Sequence, residues 1–199
     1  MSIRGSLICH IGLLISATLI LPACSSGPRP QEAASPALHA DVAFACLWWS
    51  EAQMEGLNPN APPPKKTEVK LTKWEYSDPV GVPHPDTVDV MVTLANSGGQ
   101  ALSNLDVEVA GEWKEGRLAD AASAVWSQSA VIQTFQRVSV GPSGQQTLRV
   151  PVDLKSKMDS LAKERKWPYG LRATVTVRTG PSAQPLAHAA AELPIRPGD

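Results

Sequence analysis

Four side chains with the chemistry of metal ligands fall within one short stretch: Glu75, His84, Asp86 and Asp89. An imidazole with carboxylates can hold a divalent ion, but the His-Pro-Asp run sits among prolines and lacks the regular ligand spacing of known metal sites. The plainer reading is a solvated loop whose path the prolines set, so no metal is expected. Nucleophilic catalysis requires a Ser or Cys activated by a positioned His. Beyond the first residues only His39, His84 and His188 are available, and none lies in a nucleophile elbow, phosphate loop, dinucleotide fingerprint or HExxH motif. No catalytic residue and no cofactor is therefore expected. Lys155, Lys157, Lys163, Arg165 and Lys166 outnumber Asp159 and Glu164 in one run. Such a patch could meet phospholipid head groups or an acidic partner, against the plainer reading of a solvated helix face.

Cysteine chemistry points elsewhere. One cation, Arg4, precedes an apolar run over residues 7–21 that contains no charged side chain. This is the layout of a secretory signal, and the run is shorter than the roughly 20 apolar residues that span a bilayer. Leu21, Pro22, Ala23 and Cys24 follow directly and resemble a lipobox, the motif of bacterial lipoproteins. The resemblance implies cleavage after residue 23 and lipid on Cys24, with ordinary secretion as the alternative. One acyl chain holds a protein to a membrane only marginally, and stable anchoring takes more than one. Ser25 stands where Asp would favour inner-membrane retention, so the implied address is the outer membrane, facing the periplasm. With Cys9 lost to the signal and Cys24 acylated, Cys46 is left as a single thiol, expected to be buried and inert. The signal takes one of the 18 Lys and Arg and none of the 19 Asp and Glu. The remaining near-neutral balance gives no electrostatic footprint for nucleic acid.

The elements that would carry these groups follow from hydrophobic period. Residues 24–36 are rich in Ser, Pro, Gly and Ala and are expected to form a tether. Over residues 37–57, Leu38, Val42, Ala45 and Trp49 recur at helical spacing, which predicts a short apolar-rich helix. It would dock on the main domain or meet a membrane interface, with Trp48 and Trp49 as a candidate interaction surface. Residues 58–66 form a proline-rich linker. From residue 67 the period changes to that of strands. Val88, Val90, Val92 and Leu94 alternate with Asp89, Met91 and Thr93, and the same period recurs in Leu148, Val150, Val152 and Leu154 and in Leu171, Ala173, Val175 and Val177. Strands are also expected over residues 67–76, 103–112, 130–140 and 186–195, the first with a bulge near Lys73 to explain its change of parity. A helix is predicted with Met158, Leu161, Ala162 and Arg165 on one face, ending by Trp167 before Pro168. Residues 118–128 fit either a helix or a long connection plugged by Trp126.

One-sided strands must bury their apolar face against a second sheet. The expectation is thus an all-β, immunoglobulin-like antiparallel sandwich of about seven strands over residues 67–197, with one inserted helix. The runs VMVTLANSGGQALSNLDVEV, VGPSGQQTLRVPVDL and YGLRATVTV, within residues 86–179, resemble bacterial Ig-like domains of the CARDB or fibronectin type III kind. That resemblance implies a fold and no site residue. The functional expectation is a non-enzymatic, lipid-anchored accessory or assembly factor that contacts another envelope protein. The alternative is a carbohydrate or cell-wall module, for which exposed tryptophans would stack on glycan, and a hydrolase ranks below both.

Overall fold

The structure, a computed structural model, describes residues 37–48, 65–76, 85–118 and 120–197. The signal, the lipobox with Cys24, the tether, Trp49, most of the proline-rich linker and His84 lie outside the described residues.

Alternating apolar residues produce two sheets that close on one core. The first has strand order β2-β1-β4-β8, from β1 (Leu38–Trp48), β2 (Thr67–Leu71), β4 (Thr87–Asn96) and β8 (Gln145–Asp153). The second runs β3-β10-β9-β5-β6, from β3 (Trp74–Tyr76), β10 (Ala187–Pro197), β9 (Lys166–Arg178), β5 (Leu102–Arg117) and β6 (Asp120–Trp126). A further strand, β7 (Ala130–Val140), also pairs with β5, along its first half, while β6 takes the second half. All pairings are antiparallel except β3 with β10. Val88, Val90, Val92 and Leu94 of β4 and Leu171, Ala173, Val175 and Val177 of β9 are fully buried in a single cluster with Val107 and Val109 of β5. Burying a Val or Leu side chain stabilises by about 1.5–3 kcal/mol, so this layer dominates the favourable side of folding. The all-β, Ig-like sandwich expected from the period is the observed architecture, with ten strands among the described residues instead of about seven and one parallel pairing, β3 with β10.

Three local expectations are corrected. The segment expected to be helical at residues 37–57 is a strand over Leu38–Trp48, lying between β2 and β4. Its even positions, Leu38, Val42, Phe44 and Cys46, are buried, so the operative period is two, and the sandwich begins at residue 38 instead of 67. The parity change near Lys73 marks no bulge: β2 pairs with β1 in one sheet and β3 pairs with β10 in the other, so the chain crosses between sheets there. Residues 120–126, left open between helix and loop, form β6.

The inserted helix, α1 (Leu154–Lys163), closes one pole. Asp153 caps it, accepting from the Ser156 backbone N–H at 2.8 Å, and Leu154 and Leu161 face the core. It stops before Trp167 and Pro168, both of which belong to β9. Asn96, a buried polar residue, clasps the opposite pole. Its Nδ2 donates to the carbonyls of Gln100 at 2.7 Å and Gly141 at 3.0 Å, and its Oδ1 accepts from the Gly98 N–H at 2.9 Å. The β4–β5 and β7–β8 turns are thereby held together.

Candidate functional site

Of the residues singled out for metal chemistry, the described ones, Glu75, Asp86 and Asp89, form no group that could hold an ion. Asp89 on β4 accepts from Arg149 at 2.8 Å, and the same guanidinium is paired with Glu68. Glu75 belongs to β3 in the other sheet and pairs with Lys73 at 2.8 Å, which with Arg196 holds its carboxyl below the usual range. Among the described residues no group of three His, Cys, Asp or Glu side chains is placed to hold an ion. His39 on β1 and His188 on β10 stand in different sheets and are both exposed.

Cys46 is buried and free of any disulfide. Burial, aided by the negative charge of Asp89, pushes its thiol up to about 11. A thiol so raised stays protonated at neutral pH and is a poor nucleophile.

The described tryptophans are buried or half-buried instead of displayed. Trp74 is buried in the core cluster. Lys66 lies 5.0 Å from the centroid of Trp48, Lys157 lies 5.6 Å from that of Trp113, and Arg172 stacks at 4.1 Å from that of Trp126. Of the candidate pair Trp48 and Trp49, the first is thus half-buried at the end of β1 with a cation over its ring. A glycan platform needs a row of open ring faces. Among the described residues these rings do not form one.

The basic run on α1 is largely neutralised within the fold. Lys155 pairs with Asp159 at 2.6 Å, Lys166 with Glu164 at 2.8 Å, and Lys157 reaches across Trp113 to Glu115 at 2.6 Å. The last pair is substantially shielded, its side chains retaining 28% and 17% of their exposure. Sequence reading missed this contact, since Glu115 gains significance only when β5 and α1 meet.

Two surface features remain with some capacity to bind. The first is the outer edge of β7, with no strand paired to it among the described residues. Of the other sheet margins, β2 has five residues, β3 has three and β8 carries Pro151, which lacks a donor, while β6, with seven residues, is a second open margin. β7 runs for 11 residues, AVIQTFQRVSV, without proline or glycine, and Val131 is 58% exposed. Its register against β5 slips between the Val107–Phe135 and Leu105–Val138 pairs, where Arg137 takes a left-handed φ of 57°. A second shift lies between the Val109–Gln133 and Ala110–Val131 pairs, so the regular part of the edge is the short run at residues 133–135.

The second feature is a shallow cleft of about 680 Å³ at the α1 pole, lined by Gly116, Arg117, Ser123, Glu164, Arg165 and Lys166. The β5–β6 turn forms one wall and the α1–β9 turn the other. Tyr169 fixes the first wall: its hydroxyl lies 2.7 and 2.8 Å from the carbonyl oxygens of Arg117 and Leu118 and donates to one at a time.

The chain matches no established sequence family and no curated protein. Solved structures resemble it at low identity. One is the CARDB domain of a Pyrococcus furiosus protein in complex with di-metal ions, with 12% identity and a TM-score of 0.38 over 63% of this chain and 86% of that one. Another is a sporulation control protein of Bacillus subtilis, with 10% identity and a TM-score of 0.34 over 82% of this chain and 50% of that one. A β-glucosidase of Listeria innocua in complex with isofagomine gives 10% identity and a TM-score of 0.34, the chain spanning 16% of that enzyme. Likenesses of this size carry no functional argument, and the fold assignment rests on the two sheets themselves. Among the described residues, no helix is long and apolar enough to cross a membrane.

Proposed function

We propose that this chain is a lipid-anchored protein of the bacterial envelope whose Ig-like module makes protein–protein contacts, as an accessory or assembly factor without catalysis of its own. Support for the anchor comes from the residues Leu21, Pro22, Ala23 and Cys24 directly after an apolar segment. The observation that carries the contact role is the open edge of β7. A strand edge offers alternate N–H and C=O groups to an extended partner segment, which adds to the sheet as one more strand. Backbone bonds then supply affinity, and flanking side chains such as Thr134 and Gln136 supply selection. An anchored module of this kind faces the periplasm from the outer membrane and needs no cofactor.

A photo-crosslinking amino acid at Thr134, compared with one at Thr147 on β8, tests this in the native envelope. A discrete protein adduct from the β7 position that depends on Cys24 is the expected result. Equal or absent crosslinking from both positions overturns the edge-contact reading. Separately, labelling with a fatty-acid analogue should mark the wild type and not Cys24→Ala; an unlabelled wild type removes the anchor.

A further inference from the structure

We infer that the cleft at the α1 pole binds the phosphate group of a soluble phosphoester. It presents three cations, Arg117, Arg165 and Lys166, against one carboxylate, Glu164. Lys166 and Glu164 satisfy each other at 2.8 Å, and that contact holds the lysine above its usual range and the glutamate below its own. Two guanidiniums are left, both exposed and, among the described residues, in no ion pair. A guanidinium offers a planar fork of donors that matches the oxygens of a phosphate, and two forks across a cleft can grip one tetrahedral anion from both sides.

The backbone around these groups is committed to holding them. Arg165 follows the last turn of α1 with a left-handed φ of 56°, a position where glycine is ordinarily found. An arginine there runs against local preference. Nor is its charge required to cap the helix, because the Leu161 and Ala162 carbonyls already accept from the N–H groups of Glu164 and Arg165 at 2.9 and 3.0 Å. On the facing wall, a Cβ at Gly116 would come within 2.8 Å of the Ala124 side chain and 2.9 Å of its Cα, so the β5–β6 hairpin closes only with glycine. Tyr169 then fixes the carbonyl of Arg117.

Volume bears on the ligand class. A cleft of about 680 Å³ is of the size that holds a small organic molecule, so it has room for more than a bare ion.

The test uses the full chain in neutral detergent micelles, titrated calorimetrically with glycerol 1-phosphate and, for comparison, chloride at equal ionic strength. Saturable binding of the phosphoester is expected, weakened about tenfold or more by Arg117→Gln and by Arg165→Gly, since each removes a charge-assisted fork. Arg165→Gly suits the left-handed position, so it should raise the melting temperature while it weakens binding, which separates loss of the ligand from loss of the fold. No phosphoester binding beyond chloride, or unchanged affinity in Arg165→Gly, overturns the inference. Sedimentation with phosphatidylcholine vesicles, with and without phosphatidylglycerol, separates the sources. Arg165-dependent binding to the anionic vesicles without glycerol 1-phosphate binding overturns the soluble ligand in favour of a head group.

Discussion

Replacing Asn96 with alanine removes three hydrogen bonds at once. The side chain is 2% exposed and ties the backbone of Gly98 and Gln100 in one turn to Gly141 in another. A net contribution of about 0.5–1.5 kcal/mol per bond gives roughly 1.5–4.5 kcal/mol. Stranding a buried carbonyl adds about 1–3 kcal/mol, whereas water entering the vacated space restores part of it, so a loss near 3 kcal/mol is expected. Urea denaturation followed by far-UV circular dichroism measures this, with the slope unchanged if the unfolded state is unaffected. Asn96→Asp sharpens the test because it keeps the shape and reverses the chemistry. Its carboxylate would face the Gln100 and Gly141 oxygens where Nδ2 now donates at 2.7 and 3.0 Å. Those oxygens and burial raise the folded-state pKa of the introduced acid above its unfolded value of about 3.9. Relative to wild type, the aspartate variant is then most stable below that unfolded value and loses stability as pH rises through the folded one. At pH 7 it should be at least as unstable as the alanine variant. A cost below about 1 kcal/mol for alanine, or an aspartate variant whose deficit does not change with pH, refutes the clasp.

Other consequences can be checked directly. Cys46 should resist a thiol reagent at pH 8 in the folded protein and react on addition of urea. Its pKa rises on folding from 9.0 to about 11, so its contribution to stability is complete below pH 9 and declines as pH rises toward 11. Lys157→Met should destabilise by about 1–2 kcal/mol, between exposed and fully buried pairs, because it leaves the Glu115 carboxylate shielded and unpaired. Adding Glu115→Gln should recover part of that loss in a double-mutant cycle of melting curves. Asp153 has its pKa lowered chiefly by the Ser156 backbone N–H and then by the Ser156 hydroxyl. The stability it supplies is present above the unfolded value and is lost as pH falls through the folded one, so Asp153→Ala should flatten the acid limb of the stability profile.

How far the sequence reaches is clearest in three places. In β4 the alternation of Val88, Val90, Val92 and Leu94 with Asp89, Met91 and Thr93 favours a period of two, and the strand is legible without the fold. Within β1, Ala43, Ala45 and Leu47 are apolar alongside the even positions, so helical and extended spacing both find support. Pairing with β4, which sets Leu38 opposite Asn96 and Ala45 opposite Asp89, resolves that ambiguity. Between β2 and β3 the parity change is visible, but a bulge and a crossing of sheets read alike until β10 is in place.

What the sequence determined by itself was the all-β class, the strong strands and the burial of Cys46, together with the lipobox-like run on which the anchor proposal stands. Each depends on neighbours a few residues apart, where period and turn chemistry act. Only the tertiary structure decided that β1 is a strand, that Lys157 reaches Glu115, that the rings of Trp48, Trp113 and Trp126 lie under cations, and that Arg117 and Arg165 face one cleft. Those features join segments far apart along the chain, and local composition does not encode which distant groups will meet.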